Sequence, residues 1–214
     1  MRVILARHGE TAWNQQGRYQ GQIDIDLSAE GERQARALGE RLRAIEIDRA
    51  VSSPLSRSRR TAELALGTER AALLTLDPGF AEIAHGEWEG KLASEIAALD
   101  SDRLVAWRRE PHTVQMPGGE SIEQVRARAW AALERASGEL GAEQTLFVVA
   151  HDAVNRALIC QVLGLPLARL WSFRQAPATT NLLEGPSLAQ LEVVRLNDAA
   201  HVAALFGEAV HRSL

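Results

Sequence analysis

The chain has 214 residues, 46% hydrophobic and 24% charged, with 24 basic against 28 acidic side chains and a net charge of −4. That balance is globular and excludes a disordered tail, a collagen-like rod or a disulfide-built miniature. It also argues against a general nucleic-acid or membrane-surface binder, which needs a basic face.

One domain is the expectation, over residues 1–214, because no repeat, low-complexity tract or linker interrupts the pattern. Cys160 stands alone, so an internal disulfide is excluded and a reducing cytoplasm is the expected setting. Arg7, His8 and Glu10 break the opening apolar run at once, which does not fit a targeting signal. No apolar stretch approaches the roughly 20 residues of a membrane helix. Lys91 is the only lysine among the basic residues. Arginine density alone is therefore no sign of an anion site, and only arginines at meaningful positions count.

In chain order, residues 2–7 read as a buried strand emptying into a loop at Gly9. Ser28 can cap a helix to about Ile45, with Ala35, Leu38, Leu42 and Ile45 on one face. A short strand follows over 50–53, then a helix over 55–66 stopped by Gly67. Residues 71–76 form a third apolar run, ended by the turn Asp77-Pro78-Gly79. The region 86–119 is irregular, with two short helical stretches, and reads as an insertion over the sheet and the active site. Residues 121–140 form the clearest helix and 145–150 the most strand-like run. A helix over about 153–163, late strands near 181–184 and 191–196, and a polar C-terminal tail complete the chain. Strands alternating with helices predict an α/β three-layer sandwich with a mostly parallel central sheet.

Ligands in open α/β sheets bind beyond the carboxyl ends of the strands. The first strand delivers Arg7-His8-Gly9-Glu10-Thr11, the second Ser52-Ser53-Pro54-Leu55 and then Arg57, the late one His151-Asp152. Two imidazoles and two guanidiniums at one edge of an acidic chain suit a phosphoryl group. Arginine grips phosphate oxygens bidentately, and histidine can attack phosphorus.

These residues also resemble a family. Arg7-His8-Gly9-Glu10-Thr11 with Trp13-Asn14 and Arg18-Tyr19-Gln20-Gly21 is similar to the histidine phosphatase superfamily, in its phosphoglycerate-mutase-like branch. Further blocks follow in the same order: Leu27-Ser28-Ala29-Glu30-Gly31, Ser53-Pro54-Leu55-Ser56-Arg57, Glu82 to Gly90, Pro117-Gly118-Gly119-Glu120-Ser121, and Val148-Val149-Ala150-His151. The resemblance implies that His8 is the nucleophile and forms a phosphohistidine. Arg7 and Arg57 would clamp the phosphoryl oxygens, His151 would donate to the same group, and Glu82 would act as acid and then base. Asn14 would add an amide donor, and Gly9 would let the backbone approach the phosphate. Arg18, Gln20, Gly21 and Gln22 would contact the substrate. No metal and no cofactor is called for, since the cationic side chains supply the electrostatics. The partner expected is a small phosphorylated metabolite, not nucleic acid or membrane, and a homodimer is the assembly common among relatives.

His85, His112, His201 and His211 are expected to be non-catalytic, His85 at most lining the pocket. Trp13, Trp88 and Trp107 are expected to serve packing, and the helix 121–140 to be core rather than function. Two positions depart from the pattern. Asp152 stands where the family usually has glycine; it either raises the proton affinity of His151 or, the preferred reading, caps the next helix. Ala81 stands where many members have arginine. A phosphatase is the reading favoured, because mutase members are longer and carry extra basic residues mid-chain. The alternatives are a cofactor-dependent phosphoglycerate mutase and a non-catalytic phosphoryl-binding protein.

Overall fold

The computed structural model describes residues 1–202. Six strands form one sheet: β1 (Arg2–Arg7), β2 (Arg49–Ser52), β3 (Leu74–Leu76), β4 (Thr145–Ala150), β5 (Thr180–Glu184) and β6 (Glu192–Asp198), in the order β3-β2-β4-β1-β5-β6. The first four in that order run parallel, while β5 and β6 are antiparallel to their neighbours. The mostly parallel α/β sandwich is as expected.

Alternation along the central strands builds two cores. Ile4, Ala6, Phe147 and Val149 face α2 (Ala29–Leu42) and α3 (Ser56–Leu66), meeting Leu38, Leu42, Ala62 and Leu66. Val3, Leu5, Leu146 and Val148 face the other way, toward α6 (Ile122–Ser137) and α7 (Asp152–Val162), with Val125, Ala129, Val154 and Leu158. A strand buried on both faces reads as a continuous apolar run, which is why β1 and β4 were legible.

Several boundaries differ from the sequence reading. Helix α2 ends at Leu42, short of Ile45, and α6 ends at Ser137 rather than at 140. Of the apolar run 71–76 only Leu74–Leu76 pairs as a strand; Ala71–Leu73 forms a 3-10 turn. Helix α1 (Ala12–Gln16) was not anticipated, being a single turn capped by Thr11 and stopped by Gly17 at φ 70°. Between β3 and α6 lie α4 (Ala93–Leu99) and α5 (Ser101–Arg109). The expected C-terminal tail beyond residue 202, His211 included, lies outside the described residues.

The register decides what converges. Arg7 pairs with Ala150, and Ser52 pairs with Val149. The residues that leave the sheet next, His8, His151 and Ser53, therefore emerge side by side at one edge.

Candidate active site

At that edge the two imidazoles face each other, ring centroids 5.1 Å apart. His8 Nδ1 lies 2.7 Å from the Gly9 carbonyl and donates to it. That bond selects the tautomer whose lone pair is on Nε2, the nitrogen a nucleophile needs. Gly9 in turn donates its N–H to Thr61 Oγ1 at 3.0 Å, and the His8 N–H donates to Ala150 O. His8 is therefore held by β4 and α3 as well as by its own strand.

His151 is fully buried, and Ser53 Oγ (2.8 Å) and Ser58 Oγ (3.2 Å) both meet its Nε2. Its Nδ1 is solvent-inaccessible and has no partner among the described residues. Burial pushes its proton affinity well below the ordinary imidazole range, and Arg57, His8 and Arg7 push the same way. An anion bound beside the ring would offset those charges and raise its proton affinity.

The two arginines are held by backbone oxygens. Arg57 Nη2 donates to Gly21 O at 2.7 Å and Nη1 to Ile23 O at 2.9 Å. Arg7 Nη1 donates to Gln175 O at 2.5 Å, and the Gln175 side-chain amide exchanges two hydrogen bonds with that of Asn181. The Nε of each arginine is buried with no partner among the described residues. Desolvation lowers the Arg57 pKa to about 10, still charged at neutral pH, although Glu82 and Asp24 draw it up. Two rigid, dry cations with unmatched donors suit an anion of tetrahedral oxygens.

Glu82 is the buried carboxyl. Its proton affinity is raised by desolvation first and by the charge of Asp152 second, against the Ile83 N–H, Arg57 and Arg7. Its segment is pinned by a residue that sequence reasoning assigned to core. Arg128 of α6 donates to Gly79 O, Ala81 O and Glu82 O and pairs twice with Glu120, which accepts the Ala84 N–H. Helix α6 thus carries a function besides packing, invisible in a helical pattern because an arginine on its polar face looks like any solvated charge.

A cleft gathers Arg7, His8, Asn14, Arg18, Gln20, Gly21, Arg57 and Glu82. Asn14 Oδ1 accepts from the Thr11 N–H and Oγ1, both at 3.0 Å, which turns its amide NH₂ toward other work. Gly21 sits at φ 55° and contributes its carbonyl to Arg57. Arg18 lies at the rim, bonded to Gly90 O. Gly9 does not line the cleft: a Cβ there would sit 2.5 Å from Gly31 O. The close approach of α2 requires a residue without a side chain there. Gln22 also stays out, its amide instead holding Glu82 O at 3.0 Å.

Sequence reasoning missed part of the wall. Trp107 and Trp171 line the cleft with Tyr19 and Asp152, and so does His85, as expected. Trp107 is therefore more than packing, whereas Trp88 is buried in the core as expected. His85 is desolvated and stays neutral, its pKa pushed down to about 3.

Asp152 is not the cap expected of it: the cap position of α7 is His151, and Asp152 is the helix's first residue, paired through Oδ1 with Arg156 Nε at 2.9 Å. Arg156 reaches Leu170 O and Phe173 O and lies over the rings of Trp171 and Phe173.

Paired imidazoles, two desolvated arginines and a buried carboxyl of raised proton affinity at the carboxyl edge of a parallel sheet suit a phosphoryl group. Residues 3–199 match the model of the histidine phosphatase superfamily (branch 1), and the chain belongs to that family.

Its relatives narrow the comparison. It is 34% identical, over the whole of both chains, to phosphoserine phosphatase 1 of Hydrogenobacter thermophilus. It is 36% identical to a probable phosphoglycerate mutase GpmB of Salmonella choleraesuis, over 78% of this chain and 76% of that one. Among solved structures, Bacillus stearothermophilus YhfR superposes with a TM-score of 0.86 at 30% identity, covering 94% of this chain and 98% of that one.

Proposed function

We propose that the protein hydrolyses small phosphomonoesters through a phosphohistidine on His8. The observation that carries this is the 2.7 Å bond from His8 Nδ1 to the Gly9 carbonyl, which leaves the attacking lone pair on Nε2. The protein is a phosphatase of the family just named.

In the first step Nε2 attacks phosphorus, the P–O bond to the substrate's carbon-bearing oxygen breaks, and Glu82 gives that oxygen its proton. Arg7, Arg57 and the Asn14 amide hold the non-bridging oxygens as charge moves onto them. His151 donates from Nδ1 while the hydroxyls of Ser53 and Ser58 satisfy Nε2. In the second step Glu82, now a carboxylate, takes a proton from water; the hydroxide attacks phosphorus, the P–N bond breaks and inorganic phosphate leaves. Each proton taken up is returned, so His8 and Glu82 end as they began.

No cofactor enters this scheme, and the cytoplasm is the setting we propose for it. The test is p-nitrophenyl phosphate hydrolysis in EDTA beside conversion of 3-phosphoglycerate to its 2-isomer, with His8→Ala as control. Phosphate release that vanishes in His8→Ala, with an acid-labile phosphoenzyme in the wild type, is expected. Isomerisation outpacing phosphate release would establish the mutase reading instead. Bound phosphate without turnover would establish a binding protein.

A further inference from the structure

Arg57 and Glu82 have separate tasks in the phosphatase reading, but one surface loop serves both. The Arg57 guanidinium is oriented by two carbonyls of that loop, Gly21 O and Ile23 O, with Gln22 between them. Gln22 and Ile23 are exposed, and an exposed loop holds its carbonyls still only where something fastens it. On one side Asp24 Oδ1 accepts the Ser56 N–H and the Ser56 hydroxyl, both at 2.7 Å. That ties the loop to the start of α3, next to Arg57 itself. On the other side the fastening is Glu89. Its Oε1 accepts the Gln22 N–H at 2.9 Å and the His85 N–H at 3.0 Å, so one oxygen joins the loop to the segment that carries Glu82. The approach is close: a Cβ on Gly21 would lie 2.0 Å from that same oxygen. The Gln22 amide adds a second link, donating to Glu82 O at 3.0 Å.

Building upon the phosphatase reading, we propose that Glu89 is a positioning residue that keeps the phosphate clamp and the proton donor in register. Its oxygen fixes the loop on which Gly21 O and Ile23 O stand, and so the way Arg57 presents its remaining donors to the phosphoryl oxygens. The same oxygen fixes the N–H of His85, and so the course of the chain leading from Glu82. The phosphoryl group and the leaving oxygen belong to one substrate, so their two protein partners must stand at one set distance from each other. A joint between the two supports provides this, and a misplacement near 1 Å is worth about a hundredfold in rate. Glu89 does not line the cleft and exchanges no proton with substrate; it acts through Arg57 and Glu82.

The experiment sets Glu89→Asp beside Glu89→Gln. Aspartate keeps the charge but withdraws the oxygen by one methylene; glutamine loses the charge but keeps an oxygen that accepts from the same two N–H groups. Three quantities are read: kcat/KM for p-nitrophenyl phosphate, whose leaving group needs no proton; kcat/KM for n-propyl phosphate, whose leaving group does; and the inhibition constant of inorganic phosphate, which reports the clamp. Glu89→Asp is expected to raise the phosphate inhibition constant by about fivefold or more, and to lower the propyl rate about tenfold further than the p-nitrophenyl rate, in kcat as well as KM. Glu89→Gln is expected to stay within about threefold of the wild type in all three. Glu89→Asp at wild-type rates would overturn the proposal. So would a loss shared equally by both esters with phosphate inhibition unmoved, which marks a residue that only supports the fold. The glutamine variant tests the proposal even where the aspartate variant folds poorly, since a tenfold loss there would assign the effect to charge instead of position. No turnover of either ester by the wild type would remove the phosphatase reading beneath it.

Discussion

Gly31 tests whether the start of α2 sets the position of the nucleophile. It lies in the first turn of a helix, where alanine is intrinsically favoured by about 1 kcal/mol, so propensity alone predicts that Gly31→Ala stabilises. Packing says the reverse. A Cβ at Gly31 would lie 2.0 Å from Glu10 O and 2.8 Å from Glu10 N. Carbon–oxygen contacts settle at roughly 3.3–3.6 Å, so helix and loop must part by more than about 1 Å. Both sides of the clash are backbone, and neither can rotate away. Parting them strains the Ser28 N–Glu10 O bond and the Ser28 Oγ–Glu10 Oε1 bond, each 2.9 Å. Overpacking costs about 1–3 kcal/mol and each weakened bond up to about 1 kcal/mol. After the propensity gain, a net loss of about 2 kcal/mol remains, or a Tm lower by about 4–8 °C in a chain of this size. Glu10 is two residues from His8, and a displacement near 1 Å at a reacting group can cost about a hundredfold in rate. Thermal melts and steady-state hydrolysis of p-nitrophenyl phosphate read the two effects. Gly138→Ala is the control, since its Cβ would meet nothing nearer than 3.5 Å. A Gly31→Ala protein with unchanged Tm and kcat would refute the idea that this contact positions His8.

Three further outcomes are expected. Glu82→Gln should slow alkyl phosphates by about 10²–10⁴-fold; with p-nitrophenyl phosphate, whose leaving group needs no proton, it should release a stoichiometric burst before slow turnover. The raised proton affinity of Glu82 keeps its acid form above the usual carboxylate range, so kcat/KM for alkyl esters should fall as pH rises through that raised value, and Glu82→Gln should flatten that limb of the profile. His85 has the opposite linkage. Between its folded pKa of about 3 and the ordinary 6.5 the unfolded chain holds a proton there that the folded chain does not, so stability falls as pH drops through this window, by up to about 1.4 kcal/mol per unit; chemical unfolding of His85→Gln should show a shallower slope. Arg156→Met should destabilise by about 3–5 kcal/mol, since it breaks a buried ion pair with Asp152 by removing one partner; a cost under about 1 kcal/mol in urea unfolding would refute that weight for the pair.

The sequence alone was enough for the sheet's central strands, the helices on both faces and the residues that the fold gathers at one edge of the sheet. Period-2 burial, capping serines such as Ser28 and Ser121, and short motifs at strand ends are local signals, and His8, Arg57, Glu82 and His151 each sit inside one. Tertiary structure decided what depends on neighbours remote in the chain. The antiparallel pairing of β5 and β6 follows from where the chain returns, not from its composition. Arg128 can clamp the Glu82 segment only because α6 packs beside it, 46 residues away in the chain. Gly9 is small because α2 crosses it, and Gln22 holds a backbone oxygen rather than a ligand. Asp152 departs from the family pattern in a way that no local rule interprets. Its ion pair runs to a guanidinium one helical turn away, which lies over Trp171 and Phe173. Side-chain chemistry is written residue by residue, but the direction a charge faces is set by the packing around it.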